Sequence, residues 1–117
     1  MNVEEQIQEI EVTINDLKEM MDIGDSVIRL TQNPDWQRVI DKAYKKDEAE
    51  RLTLYLGSDI SPEEQAKTVS SLKSIGEFFQ FLRVMVMRAN QAESALKEHQ
   101  ETLNQVEAEG EDDEHQF

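Results

Sequence analysis

The chain has 117 residues, enough for one helical domain with a small core, since 38% of them are hydrophobic. It holds no cysteine, which excludes disulfides, thiolate nucleophiles and cysteine-based metal sites, and only four glycines and two prolines, which favours long elements over many short ones. Its net charge of −14 is spread unevenly. Residues 1–25 hold eight acids and one base, residues 26–92 nine acids and ten bases, and residues 93–117 nine acids and one base. Two acidic ends flanking a neutral middle exclude bare phosphate and anionic lipid as surfaces for those ends, because like charges repel over about 8–10 Å.

The amino terminus, Met1-Asn2-Val3-Glu4-Glu5, is acidic where a secretory signal would be basic and then apolar. From there Val3, Ile7, Ile10, Ile14, Leu17, Met21, Gly24 and Ile28 recur at alternating steps of four and three, the seam of a helix packed lengthwise on another helix. This predicts a helix from Val3 to Gln32. A second stripe, Met20, Ile23, Val27 and Leu30, predicts burial on two sides over its later half.

Asn33-Pro34 ends that helix and caps the next. A short helix with one apolar face of Trp36, Val39, Ile40, Ala43 and Tyr44 follows. After the polar Lys45-Lys46-Asp47-Glu48, a further short helix carries Ala49, Leu52, Tyr55 and Leu56 and closes at Gly57. Arg38, Lys42, Lys45, Lys46 and Arg51 stand among Asp35, Asp41, Asp47, Glu48 and Glu50, so this neutral segment reads as a solvated face. Docking onto the acidic stalk of a neighbouring copy is the sharper alternative.

Ser61-Pro62-Glu63-Glu64 starts the last helix with a capping hydroxyl, a first-turn proline and a capping-box carboxylate. No breaker follows until Gly110, apart from Gly76, a weak point or a place of close approach. The seam of this helix runs through Leu72, Ile75, Phe79, Leu82, Val86 and Ala89, then shifts phase to Ala92, Leu96, His99, Leu103 and Val106. Two long helices joined by a short-helix insert fold back antiparallel. Matching stripes sets Ile7 near Leu103, Ile14 near Leu96, Met21 near Ala89 and Gly24 near Met85.

The expected fold is therefore all-α: a long antiparallel helical hairpin, a coiled-coil-like stalk, with two short helices inserted between the long ones. Residues 1–108 read as one helical domain and 109–117 as an acidic, disordered tail. That tail is a solubilising segment or, in the sharper reading, a nucleic-acid mimic or a dock for a basic partner.

Between Ile75 and Met87 nine of thirteen residues are apolar and occupy every side of the helix. The expected interaction surface is Phe78, Phe81, Val84, Met85 and Met87 with Trp36 and Tyr44, covered by another chain; burial within the monomer is the alternative. Arg83 and Arg88 within or beside this run need counter-charges, and the pairing offers Asp25 to Arg83 and Asp22 to Arg88, with Glu77 a second option.

No catalytic constellation stands out. His99 and His115 lie at no metal-ligand spacing, and no calcium loop, phosphate loop or nucleophile elbow occurs. Neither an enzyme nor a cofactor is expected, and no segment is long and apolar enough to span a membrane. Nucleic-acid mimicry fares poorly in charge density. Residues 1–25 and 93–109 carry −7 and −4 along about 38 Å of helix, where B-DNA would carry roughly 22 charges.

Asn33-Pro34-Asp35-Trp36 after a long helix, Lys46-Asp47-Glu48-Ala49-x-Arg51-Leu52, the Pro62-led start and Ser74-Ile75-Gly76 together form a pattern over about residues 25–90. This pattern resembles small helical proteins of tailed bacteriophages encoded among virion and head-assembly genes. The resemblance implies a structural or assembly role in the virion or host cytoplasm, with no catalytic residues. The apolar run of Ile75 to Met87 and the acidic ends point to protein partners, a homo-oligomer or other virion proteins, with no direct contact to nucleic acid or membrane. The alternative is an acidic inhibitor or nucleic-acid mimic, or a chaperone-like adaptor, binding a basic partner.

Overall fold

A computed structural model describes residues 2–115, with side chains as far as Gly110. Among the described residues the fold is all-α. Two long helices, α1 (Val3–Gln32) and α4 (Pro62–His115), enclose in sequence a helical insert: α2 (Pro34–Trp36), a π-wound segment π1 (Gln37–Glu48) and α3 (Ala49–Leu56). Within the stretch read as one domain, the residues pack into two compact units. The first holds Met1–Asp25 with Met85–Phe117 and the second holds Ser26–Val84, so the division cuts both long helices.

The starts of α1, α2 and α4 follow from their caps. Asn2 Oδ1 accepts the Glu5 N–H at 2.8 Å at the head of α1, and Asn33 Oδ1 accepts the Asp35 N–H at 2.8 Å at α2. At α4, Ser61 Oγ accepts the Glu64 N–H at 3.1 Å. The capping box is left half made, because the Glu64 carboxylate accepts instead from the Tyr55 hydroxyl at 3.0 Å.

In the first unit the seam is legible residue by residue. Ile14, Gly24 and Ala92 are buried, and Ile7, Ile10, Leu17, Met21, Ala89, Leu96, His99, Leu103 and Val106 half-buried. The two helix segments run antiparallel. Gly24 lies against Ala89 and Met85, while Gly110 lies beside Val3, where a β-carbon would stand 3.4 Å from Cγ1. Ile14 shares a groove with Gln100 and Leu103. Gly24 thus meets Met85 as the stripes predict, but Ile14 and the glycine pair one helical turn further along α4 than the matching gave. Residue size supplies the reason: a β-carbon on Gly24 would overlap that of Ala89, so this is a contact only two small residues can make.

The second unit is built around Leu52, Ile75 and Phe79, with Ile40, Tyr44, Ala49, Leu72, Phe78 and Leu82 packed on them. Burial of each large apolar side chain contributes about 1.5–3 kcal/mol. Thr68 is buried too, and its hydroxyl donates to the Glu64 carbonyl at 2.8 Å.

Four expectations need correction. The insert has no break at Lys45–Glu48; α2, π1 and α3 follow one another without an interruption. A π turn holds more residues than an α turn and brings i and i+5 together. Lys42 therefore reaches Asp47 at 3.3 Å, and the inward face falls on Trp36, Ile40, Tyr44 and Leu52 while Val39 and Ala43 turn outward. On α1, Val27 alone of the second stripe is buried; Met20, Ile23 and Leu30 stay exposed. Gly76 marks no close approach, for nothing lies within 4 Å of where its β-carbon would be. Finally, α4 passes through Gly110 to His115, so the tail read from residue 109 is helical that far. One interior glycine costs a helix only about 1 kcal/mol. The tail's last two residues lie outside the described residues.

Candidate functional site

The aromatic side chains of the insert and of α4 meet in the second unit. The Trp36 ring stacks on Phe78 at 6.2 Å between centroids, Tyr44 meets Phe78 edge-on at 5.9 Å, and Phe78 meets Phe79 edge-on at 5.2 Å. Tyr44 also lies 6.3 Å from Phe79, all within the range where aromatic pairs attract. Trp36, Tyr44 and Phe78 therefore cover one another. Three residues read as a partner-facing surface are half-buried against their own unit, because the π winding turns Trp36 and Tyr44 onto α4. The Trp36 indole N–H ends up buried without an acceptor.

The other members of that expected surface part company. Phe81, 56% exposed, faces outward, and Val84 ends the second unit half-buried. Met85, half-buried, and Met87, 50% exposed, belong to the first unit. Arg83 takes a local contact in place of the expected Asp25. Arg83 donates from Nη2 to Gln80 Oε1 at 2.8 Å and from Nε to the same oxygen at 3.2 Å. Glu77, the second option, pairs with Lys73 at 4.0 Å. Arg88 is exposed and enters no ion pair among the described residues, nor does Asp25. A long side chain on an exposed helix face finds a neighbour three or four residues away before it reaches across a seam.

A second surface emerges on the outer side of the insert. Lys45, Lys46, Ala49, Glu50, Thr53 and Leu54 line an open groove, and Leu54 is 78% exposed. The Lys45 ammonium stands 4.9 Å from the centre of the Phe79 ring, a cation–π contact at the groove's edge. Nearby, Glu48 accepts a bidentate pair from Arg51. That hydrogen bond, with the guanidinium charge behind it, holds the Glu48 carboxyl below its ordinary pKa and the guanidinium above its own. Tyr55, donating to Glu64, has its phenol raised above 10 for the same kind of reason. Sequence reading passed over Leu54; its only signal was an apolar residue off the face of Ala49, Leu52 and Leu56.

Among the described residues no group of three or more histidines and carboxylates is placed to hold a metal ion, and no helix is long and apolar enough to cross a membrane. Comparison with protein-family profiles, curated proteins and solved structures finds no match to this chain.

The charge layout sharpens once the units are known. The first unit contains seventeen acids and three bases, the second nine of each. The full −14 lies on the first unit, and the second is neutral.

Proposed function

We propose that this chain is a non-catalytic structural or assembly protein of a tailed bacteriophage, acting in the virion or host cytoplasm through helix-mediated oligomerisation and protein contacts. One observation carries the oligomer reading. Both units leave large apolar side chains uncovered, Val12, Met20, Ile23 and Met87 on the first and Val39, Leu54, Val69 and Phe81 on the second. Apolar surface distributed in this way suits contact with other proteins. The phage assignment is supported by the sequence pattern around Asn33-Pro34-Asp35-Trp36.

Light scattering of the purified protein across a concentration series tests the first part; a monomer at every concentration would sink it. Mass spectrometry of purified particles tests the second. Tens of copies per particle are expected of a virion component, and absence from both mature particles and assembly intermediates would count against the assignment. A second reading, an acidic inhibitor or adaptor for a basic partner, is favoured by the confinement of the charge to one unit. It predicts salt-sensitive competition with duplex DNA for that partner.

A further inference from the structure

We infer that the groove of Lys45, Lys46 and Leu54 on one copy grips the outer face of α1 around Val12 on a second copy, a head-to-tail contact. The inference rests on the oligomer reading above and names its surface.

Charge selects the pairing. Lys42 and Arg51 are held by Asp47 and Glu48, whereas Lys45 and Lys46 have no carboxylate partner among the described residues. Glu50 lines the same groove, so its lining carries +1. On α1, Glu5, Glu9, Asp16 and Glu19 are exposed and enter no ion pair among the described residues, and they flank Val12, 61% exposed. Val12 and Leu54 are the most exposed large apolar side chains of their units. Groove against groove would set lysines on lysines, and ridge against ridge four carboxylates on four. Groove against ridge alone brings opposite charges around two apolar anchors. Such a contact uses different patches on the two copies, so it propagates into a ring or an open filament instead of stopping at two.

The test is sedimentation of the full chain at low and high salt. The variants are Lys45→Glu/Lys46→Glu, which disables the groove, and Glu9→Lys/Asp16→Lys, which disables the ridge. All four positions are exposed, and circular dichroism checks that each variant keeps its helices. Wild type is expected to self-associate more weakly at high salt, and each variant to raise the dissociation constant about tenfold or more. Alone, the Glu9→Lys/Asp16→Lys groove faces only lysine-bearing ridges, and the Lys45→Glu/Lys46→Glu groove is acidic. Mixed, the intact groove of one variant meets the intact ridge of the other and the acidic groove meets the lysine-bearing ridge, so the mixture is expected to recover association.

A mixture that stays monomeric while wild type associates overturns the proposal, as do variants that associate like wild type; the oligomer reading survives both. A monomeric wild type overturns both together. Lysine acetylation read by mass spectrometry adds a further arm. Lys45 and Lys46 protected in the self-associated protein support the contact. Equal labelling in both states overturns it.

Discussion

The two units share the long helices α1 and α4 yet solve the packing problem with opposite materials. In the first, glycine and alanine meet at a tight layer, and the unit carries all of the net charge. In the second, every aromatic side chain within the described residues is gathered, acids and bases are balanced, and four ion pairs decorate the surface. The contrast shows how one heptad-like pattern yields two kinds of cohesion. Small residues let helices approach so that many weak contacts accumulate. Large rings bury more area per residue and attract one another edge-on or stacked.

The heaviest blow to the contrast is Phe79→Ala. Removing a buried ring at the centre of the aromatic cluster is expected to cost about 3–5 kcal/mol. Hydrogen exchange resolved by segment should lose protection chiefly within residues 26–84; an equal loss over residues 3–25 and 85–110 would mean that the two units melt as one. Next comes Gly24→Ala. The added β-carbon collides with Ala89, and overpacking of this kind costs about 1–3 kcal/mol, against a gain in helix propensity of about 1 kcal/mol. Thermal unfolding should show a net loss, and Ala89→Gly in the same chain should restore part of it.

Salt should separate the units more gently. Screening the −14 of the first unit is expected to raise its melting temperature by a few degrees between about 50 and 500 mM salt, while the neutral second unit stays nearly still. Denaturation followed by exchange at two salt concentrations checks this. The smallest effect is expected at Tyr55. Its hydrogen bond to Glu64 raises the folded phenol's pKa, so the stability it lends is complete below the unfolded phenol's value, about 10, and is lost as pH rises through the higher folded value. Tyr55→Phe should remove that alkaline loss, seen as a flatter stability profile above about pH 10.

How much of this was written legibly in the residues varies with the kind of signal. The bounds of α1, the Asn33 and Ser61 caps and the antiparallel pairing of the acidic ends follow from periodicity and local chemistry, which act over a few residues. Winding and register were harder. The inward face of π1 recurs about every four residues, and an α period of 3.6 read across it puts Val39 and Ala43 inside and a break at Lys45–Glu48. The pairing of α1 with α4 is set by how closely Gly24 and Ala89 can approach, a matter of size that a hydrophobic stripe does not record. At Trp36, Tyr44 and Phe78 the stripes count one long helix and two short ones as too little cover for this part of α4, whereas these three side chains cover one another.

Trp36 is the only tryptophan in the chain. Packed on Phe78 with its N–H shielded, it makes the second unit report on itself through blue-shifted emission, whereas the described part of the first unit contains no fluorophore at all. Emission would therefore read the second unit alone while far-ultraviolet dichroism in the same denaturation reads the helices of both, and any gap between their midpoints would measure, without a label, how loosely the two are coupled.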